Sequence, residues 1–91
     1  MAELIVEVVS LDRKIWDGTA RLVRVRTTEG DIGILPGHES MAGLLQAGEF
    51  MVDRVTGDRL RGHIDSGFIS VDHDRVSVVA DRVSFEDRAS A

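Results

Sequence analysis

The sequence predicts an all-β protein, a flattened antiparallel β-sandwich or barrel of about ten short strands with no sustained helix. Three observations point there. Turn signals built from Gly, Asp and Ser recur at intervals of about ten residues. The segments between them are short and rich in Val and Ile, which suit a pleated, half-buried surface. Apolar residues at helical spacing are nowhere kept up for more than a turn.

The elements follow in order. Leu4-Ile5-Val6-Glu7-Val8-Val9 is almost wholly apolar and reads as a strand buried on most of both faces. Ser10 to Arg13 turns the chain. Lys14 to Gly18 reads as a brief strand ended by its glycine, with Trp16, the only tryptophan, as a packing residue. In Ala20 to Thr27, Val23, Val25 and Thr27 share one face by the period of two, and Leu22, Arg24 and Arg26 share the other. The arginines are a solvated face or contacts for an acidic neighbour.

Thr28 to His38 reads as one presented loop. It holds three of the nine glycines and the only proline. Gly30, Gly33, Pro36 and Gly37 set its shape, Pro36-Gly37 as a tight turn. Ile32, Ile34 and Leu35 make a buried spine, while Glu29, Asp31 and His38 make a charged rim. A loop so pinned is where binding residues concentrate. Glu39 to Gly48 reads as an irregular connector that tucks Met41, Leu44 and Leu45 under the sheets. Glu49 to Val55 is a strand, Thr56-Gly57-Asp58 a hairpin turn, and Arg59 to Asp65 the return. Ser66-Gly67 bends into Phe68 to Val71. Asp72-His73-Asp74 is a turn, Arg75 to Ala80 a strand, and Arg82 to Phe85 a short last one. One domain over residues 1–85 and a short polar, fraying tail over 86–91 account for the chain.

Composition narrows the function classes. Cysteine is absent, which excludes disulfides and thiolate metal sites and fits a reducing compartment. No apolar run reaches the length of a membrane-spanning helix, and Met1-Ala2-Glu3 does not begin a secretory signal. A net charge of −5 opposes binding to phosphate backbones or anionic lipid, so the expected partner is a protein. No phosphate loop or dinucleotide fingerprint is present. Asp72-His73-Asp74 carries metal-ligating residue types, but neighbouring turn residues point apart. His63 and Asp65 share a strand face, which favours a structural hydrogen bond over a catalytic pair. No nucleophile elbow and no paired carboxylates in a cleft are recognisable. The sequence argues against an enzyme acting alone, and no cofactor, metal or small-molecule ligand is expected.

The run from Arg26 to His38 resembles the epsilon subunit family of the F-type rotary ATP synthase, whose motif is close to Glu-Gly-acidic-aliphatic-Gly-aliphatic-x-Pro-Gly-His. Val8-Val9-Ser10 with Asp12-Arg13, Trp16-Asp17-Gly18, Leu45-Gln46-Ala47-Gly48, Ser66 to Val71 and Arg75 to Asp81 extend the likeness over about residues 3–85. Two positions depart from the pattern: Ser40-Met41 stands where the family often has Pro-Leu, and Ser66 replaces the first of two glycines. Many members continue into a two-helix hairpin that blocks rotation or binds ATP through Asp-x-x-Arg-Ala. Here Asp87-Arg88-Ala89 echoes that motif without its spacing.

The resemblance implies an N-terminal β-sandwich and a non-catalytic rotor subunit that links the gamma subunit to the membrane ring. It implies the coupling role and not the inhibitory or ATP-sensing one. Its place would be the cytoplasmic face of the cell membrane, peripheral, without insertion and without nucleic acid. By the same resemblance Glu29, Asp31 and His38 face the ring, with Asp31 paired to a basic ring loop and His38 close by. Gly30, Gly33, Pro36 and Gly37 hold that rim in shape. An unrelated β-sandwich adaptor is the alternative, and a small hydrolase around His63 and Asp65 is a third reading.

Overall fold

The computed structural model describes residues 2–86. Nine strands occur among them: β1 (Leu4–Ser10), β2 (Lys14–Thr27), β3 (Gly30–Ile34), β4 (Met41–Leu45), β5 (Gly48–Arg54), β6 (Arg59–Ile64), β7 (Gly67–Asp72), β8 (Arg75–Ala80) and β9 (Val83–Phe85). The proposed tail beyond Glu86, with Asp87-Arg88-Ala89, lies outside the described residues.

Strands neighbour one another in the order β1-β8-β7-β4-β2-β5-β6-β9, with β3 on β2. A further β1–β2 pairing closes the first five into a barrel. All ladders are antiparallel except one. β1 and β8 run parallel, from Ile5 opposite Arg75 to Ser10 opposite Ala80, where an antiparallel arrangement was expected.

β2 corrects the expectation of a strand ended at Gly18. It continues through the glycine for 14 residues, pairing first with β1 and then with β5 and β3. The register shifts between Ala20 and Leu22, where the strand passes from one partner to the next. Gly18 is needed for packing and not for a stop: a Cβ there would lie 2.7 Å from the Trp16 ring, which folds over it.

Alternation along each strand fills the interior. Leu4, Val6 and Val8 of β1 are fully buried while Ile5 is half exposed, so β1 buries one face and not both. Val23, Val25 and Thr27 of β2 point inward as the period of two requires. Ile34, Val52, Phe50, Ile69, Val71, Val76 and Val78 complete the core. Phe50 packs on Phe85 with ring centroids 5.3 Å apart, tying β9 to β5 across β6.

Two segments read as irregular are strands. β3 lies inside the expected loop and β4 inside the expected connector. Each gains a full ladder, β3 on β2 and β4 on β7, and those backbone bonds outweigh the weak strand preference of Gly33 and Gly43. Pleating then turns Leu44 outward, and Leu35 stands in the turn after β3. Both are mostly exposed, contrary to the expectation that they would be buried.

Candidate functional site

The Thr27 to Gly30 turn joins β2 to β3 as a tight hairpin. Thr27 is almost completely buried, and its Oγ1 donates to the Gly30 carbonyl at 2.8 Å and accepts from the Glu29 N–H at 3.1 Å. The Thr28 N–H donates to the Leu44 carbonyl and the Gln46 N–H to the Arg26 carbonyl, fastening the hairpin tip to the end of β4. Glu29 and Asp31 stand exposed on this tip. Arg26 Nε donates to Asp31 Oδ1 at 3.1 Å across the β2–β3 ladder, with both side chains more than half exposed. Such a pair contributes only about 0.2–1 kcal/mol, so a partner's cation can compete for the carboxylate.

His38 is not beside them. Asp31 and Ile34 are separated by three residues of strand, about 10 Å of rise. The Leu35 to His38 turn follows, closed by the His38 N–H on the Leu35 carbonyl at 3.0 Å. Pro36 with Gly37 at φ 88° fits a type II turn, in which the third residue must take positive φ. The Gly37 N–H donates to Asp74 Oδ1 at 2.8 Å, and Ser40 Oγ donates to Asp72 Oδ1 at 3.0 Å. The half-buried His38 therefore belongs with the β7–β8 turn at the far end of β3, its Nδ1 2.7 Å from the Glu39 carbonyl oxygen. Of the four shape-setting residues, Gly30 and Gly37 have positive φ, Pro36 sits in the turn, and Gly33 is an ordinary strand residue.

His73-Asp74 forms a two-residue hairpin loop between the paired Asp72 and Arg75, with φ 51° at His73 and 64° at Asp74, which suits a type I′ turn. No group of three His, Asp or Glu placed to hold a metal occurs among the described residues. Asp65 lies just beyond β6 and not on the strand, and no hydrogen bond joins it to His63 among the described residues. Both are exposed in an open groove with Asp81 and Arg82.

The structure adds a surface that sequence reasoning missed. On the outer face of β4-β7-β8-β1, the registers place Leu44, Phe68, Val79 and Val9 in one cross-strand row. Leu44 is 65% and Phe68 47% exposed, and the two valines are half-buried. The neighbouring row holds Ala42, Ser70 and Ser77, all small, and ends at Glu7 on β1, so the apolar row stands above a low shelf over β4, β7 and β8. Adjacent large apolar side chains left half in water mark a contact for another molecule. The signal in sequence was the alternation in Phe68-Ile69-Ser70-Val71, but which residues stand beside Phe68 depends on registers that a single strand does not encode.

Beyond this shelf, Lys14 Nζ sits 3.0 Å from Asp17 and 3.3 Å from Glu7. The hydrogen bond to Asp17, then that to Glu7, holds its ammonium above the usual lysine value. The cluster ties β1 to the start of β2.

A family model described as the ATP synthase delta/epsilon chain β-sandwich domain matches residues 3–86. The chain is 47% identical over 91 residues to the ATP synthase epsilon chain of Micrococcus luteus, covering all of both. It is 45% identical over 82 residues to the ATP synthase epsilon chain of Corynebacterium efficiens, covering 89% of this chain and 66% of that one. Among solved structures, a chain in the Euglena gracilis mitochondrial ATP synthase superposes with a TM-score of 0.88 at 25% identity, covering 93% of this chain and 54% of that chain. A chain of the Tetrahymena thermophila mitochondrial ATP synthase central stalk and ring, at 14% identity and a TM-score of 0.69, shares the fold.

Proposed function

The chain belongs to the delta/epsilon β-sandwich family of the ATP synthase, and we propose from that premise that it works as the epsilon subunit of the central stalk, joining the gamma subunit to the membrane ring. It performs no bond chemistry itself. It sits on the cytoplasmic face of the membrane as a peripheral part of the complex, and it couples proton flow to ATP synthesis by passing torque between ring and shaft.

The observation that carries this reading is the apolar row Leu44-Phe68-Val79-Val9 on a closed barrel. A rotor joint needs a broad contact that does not slide and a body that does not bend. The row supplies desolvated area for the gamma subunit. The barrel supplies stiffness, because its strands are cross-linked by ladders on both sides. Shearing one strand would break several backbone bonds together.

The hairpin tip with Glu29 and Asp31 supplies the ring-facing contact. His38 belongs to the other end of β3 and contributes through the β7–β8 turn, not through Asp31. At the tip, a basic ring loop takes the Asp31 carboxylate from Arg26. The exchange of one exposed pair for another makes this contact weak by itself. Its strength comes from several such contacts together with the anchored sandwich.

The test is Asp31→Lys in the reassembled enzyme, reading ATP-driven proton pumping against ATP hydrolysis. The expected result is pumping reduced relative to hydrolysis, with the isolated domain folded as before. Unchanged coupling removes Asp31 from the ring contact.

A further inference from the structure

The outer face of β3-β2-β5-β6 is unlike the rest of this acidic chain. The registers place Gly33, Arg24, Met51 and Arg61 in one cross-strand row. Asp31 and Arg26 lie in the row on one side, and Asp53 and Arg59 in the row on the other. Arg26 is paired with Asp31 at 3.1 Å, and Asp53 is approached by Arg21 at 3.6 Å and Arg59 at 4.0 Å. Arg24 and Arg61 have no ion pair among the described residues, although both are exposed. The central row thus carries two uncompensated guanidinium groups on a chain of net charge −5. A shallow hollow of about 300 Å³ lies over it, walled by Arg24, Arg26, Arg61, Asp31 and Glu49, with Met51 lining it between the two arginines.

We propose that this arginine row is a second docking surface, which takes an acidic segment of a protein partner. Three features select that chemistry. Guanidinium groups bind carboxylates through paired N–H donors. Arg24 and Arg61 stand two strand spacings apart, about 9–10 Å, so one small anion does not span their bases, whereas two carboxylates on one chain do. That distance matches residues three apart in a polyproline II segment, which share a face, or seven apart on one helix face. Met51 between them offers an apolar, adaptable contact for the side chain that falls between the two acids. On the side of Asp31 and Glu49 two acids face one arginine, Arg26, which disfavours a segment shifted in that direction.

The arginine row lies on β3, β2, β5 and β6 and the apolar row on β4, β7, β8 and β1, so docking here is independent of the assignment of the apolar row to the gamma subunit. The experiment titrates the isotope-labelled full chain with a deca-glutamate peptide and follows backbone amide shifts, with inorganic tripolyphosphate as a parallel probe. The expected result is shifts confined to the neighbourhood of Arg24, Met51 and Arg61 that fade as salt rises. Affinity should fall about two- to thirtyfold in the Arg24→Ala/Arg61→Ala double variant, from the loss of two exposed charge pairs. An Arg54→Ala variant, which removes an arginine already paired with Asp58 outside this face, should bind as the parent does. No shift at the row, shifts spread over every arginine, or undiminished binding by the double variant would each overturn the proposal. Tripolyphosphate that matches the peptide in affinity and location would assign the row to small anions and overturn it as well. So would concentration-dependent broadening of the row without any peptide, which would give the face to a second copy of the chain.

Discussion

Removing the Phe68 ring should weaken attachment to the gamma subunit by more than any single polar change on this surface. A phenylalanine buries about 150–250 Å² when fully covered. Phe68 is 47% exposed in the free chain, which leaves about 70–120 Å² for a partner to cover. At about 25 cal/mol per Å² that is about 2–3 kcal/mol of binding free energy, or a dissociation constant raised about 30- to 150-fold in Phe68→Ala. Calorimetric titration of the purified gamma subunit into the full chain measures it directly. The substitution also removes the covered half of the ring, so folding must be followed alongside by urea denaturation. Phe85→Leu serves as the control. That ring packs on Phe50 at the far side of β6, so its loss lowers stability without touching the apolar row. The expected pattern is a large affinity loss for Phe68→Ala and none for Phe85→Leu at matched fraction folded. A folded Phe68→Ala chain that binds gamma within a factor of two would refute the assignment of this face.

Two further predictions concern the scaffold. A Cβ at Gly67 would lie 1.9 Å from the Val79 carbonyl oxygen and 2.7 Å from the Ala80 Cα, both backbone, so neither can swing aside. Gly67→Ala must part β7 from β8, and a loss of about 3 kcal/mol or more in urea denaturation is expected, against a total of about 5–15 kcal/mol for a domain of ordinary stability. Ser66→Gly, one residue earlier and exposed, should change stability by less than about 1 kcal/mol in the same assay. Thr27→Val keeps the shape of the buried side chain but leaves the Gly30 carbonyl and Glu29 N–H without their partner. A cost of about 1–3 kcal/mol is expected, with faster amide exchange at Glu29 and the hairpin tip as the local readout.

Much of the fold could be read from residue order because its strongest signal is local. The period of two in Val23, Val25 and Thr27, and the turns at Gly57 and at His73-Asp74, are properties of short segments. The resemblance carried by Glu29 to His38 was likewise local, and the family match bears it out. What escaped were relations between distant segments. The parallel β1–β8 ladder joins residues about seventy positions apart, and neither strand carries a mark of its partner's direction. β3 and β4 were hidden because Gly33 and Gly43 suggested loops. The alternation of Asp31 and Gly33 with Ile32 and Ile34 was the available signal, and pairing with β2 made it decisive. The same error drew His38 towards Asp31. In a loop the two are neighbours, while along a strand they stand at opposite ends. The apolar row and the arginine row are both products of register, so neither exists until the strands are aligned.

The central claim is that this barrel is held between shaft and ring. Co-purification tests it most directly: a tagged copy of the full chain is expressed with the gamma and ring subunits, and the complex is recovered in mild detergent. The account predicts all three at fixed stoichiometry, with gamma lost from the Phe68→Glu variant. Recovery of the tagged chain alone, or of a complex indifferent to that substitution, would contradict it.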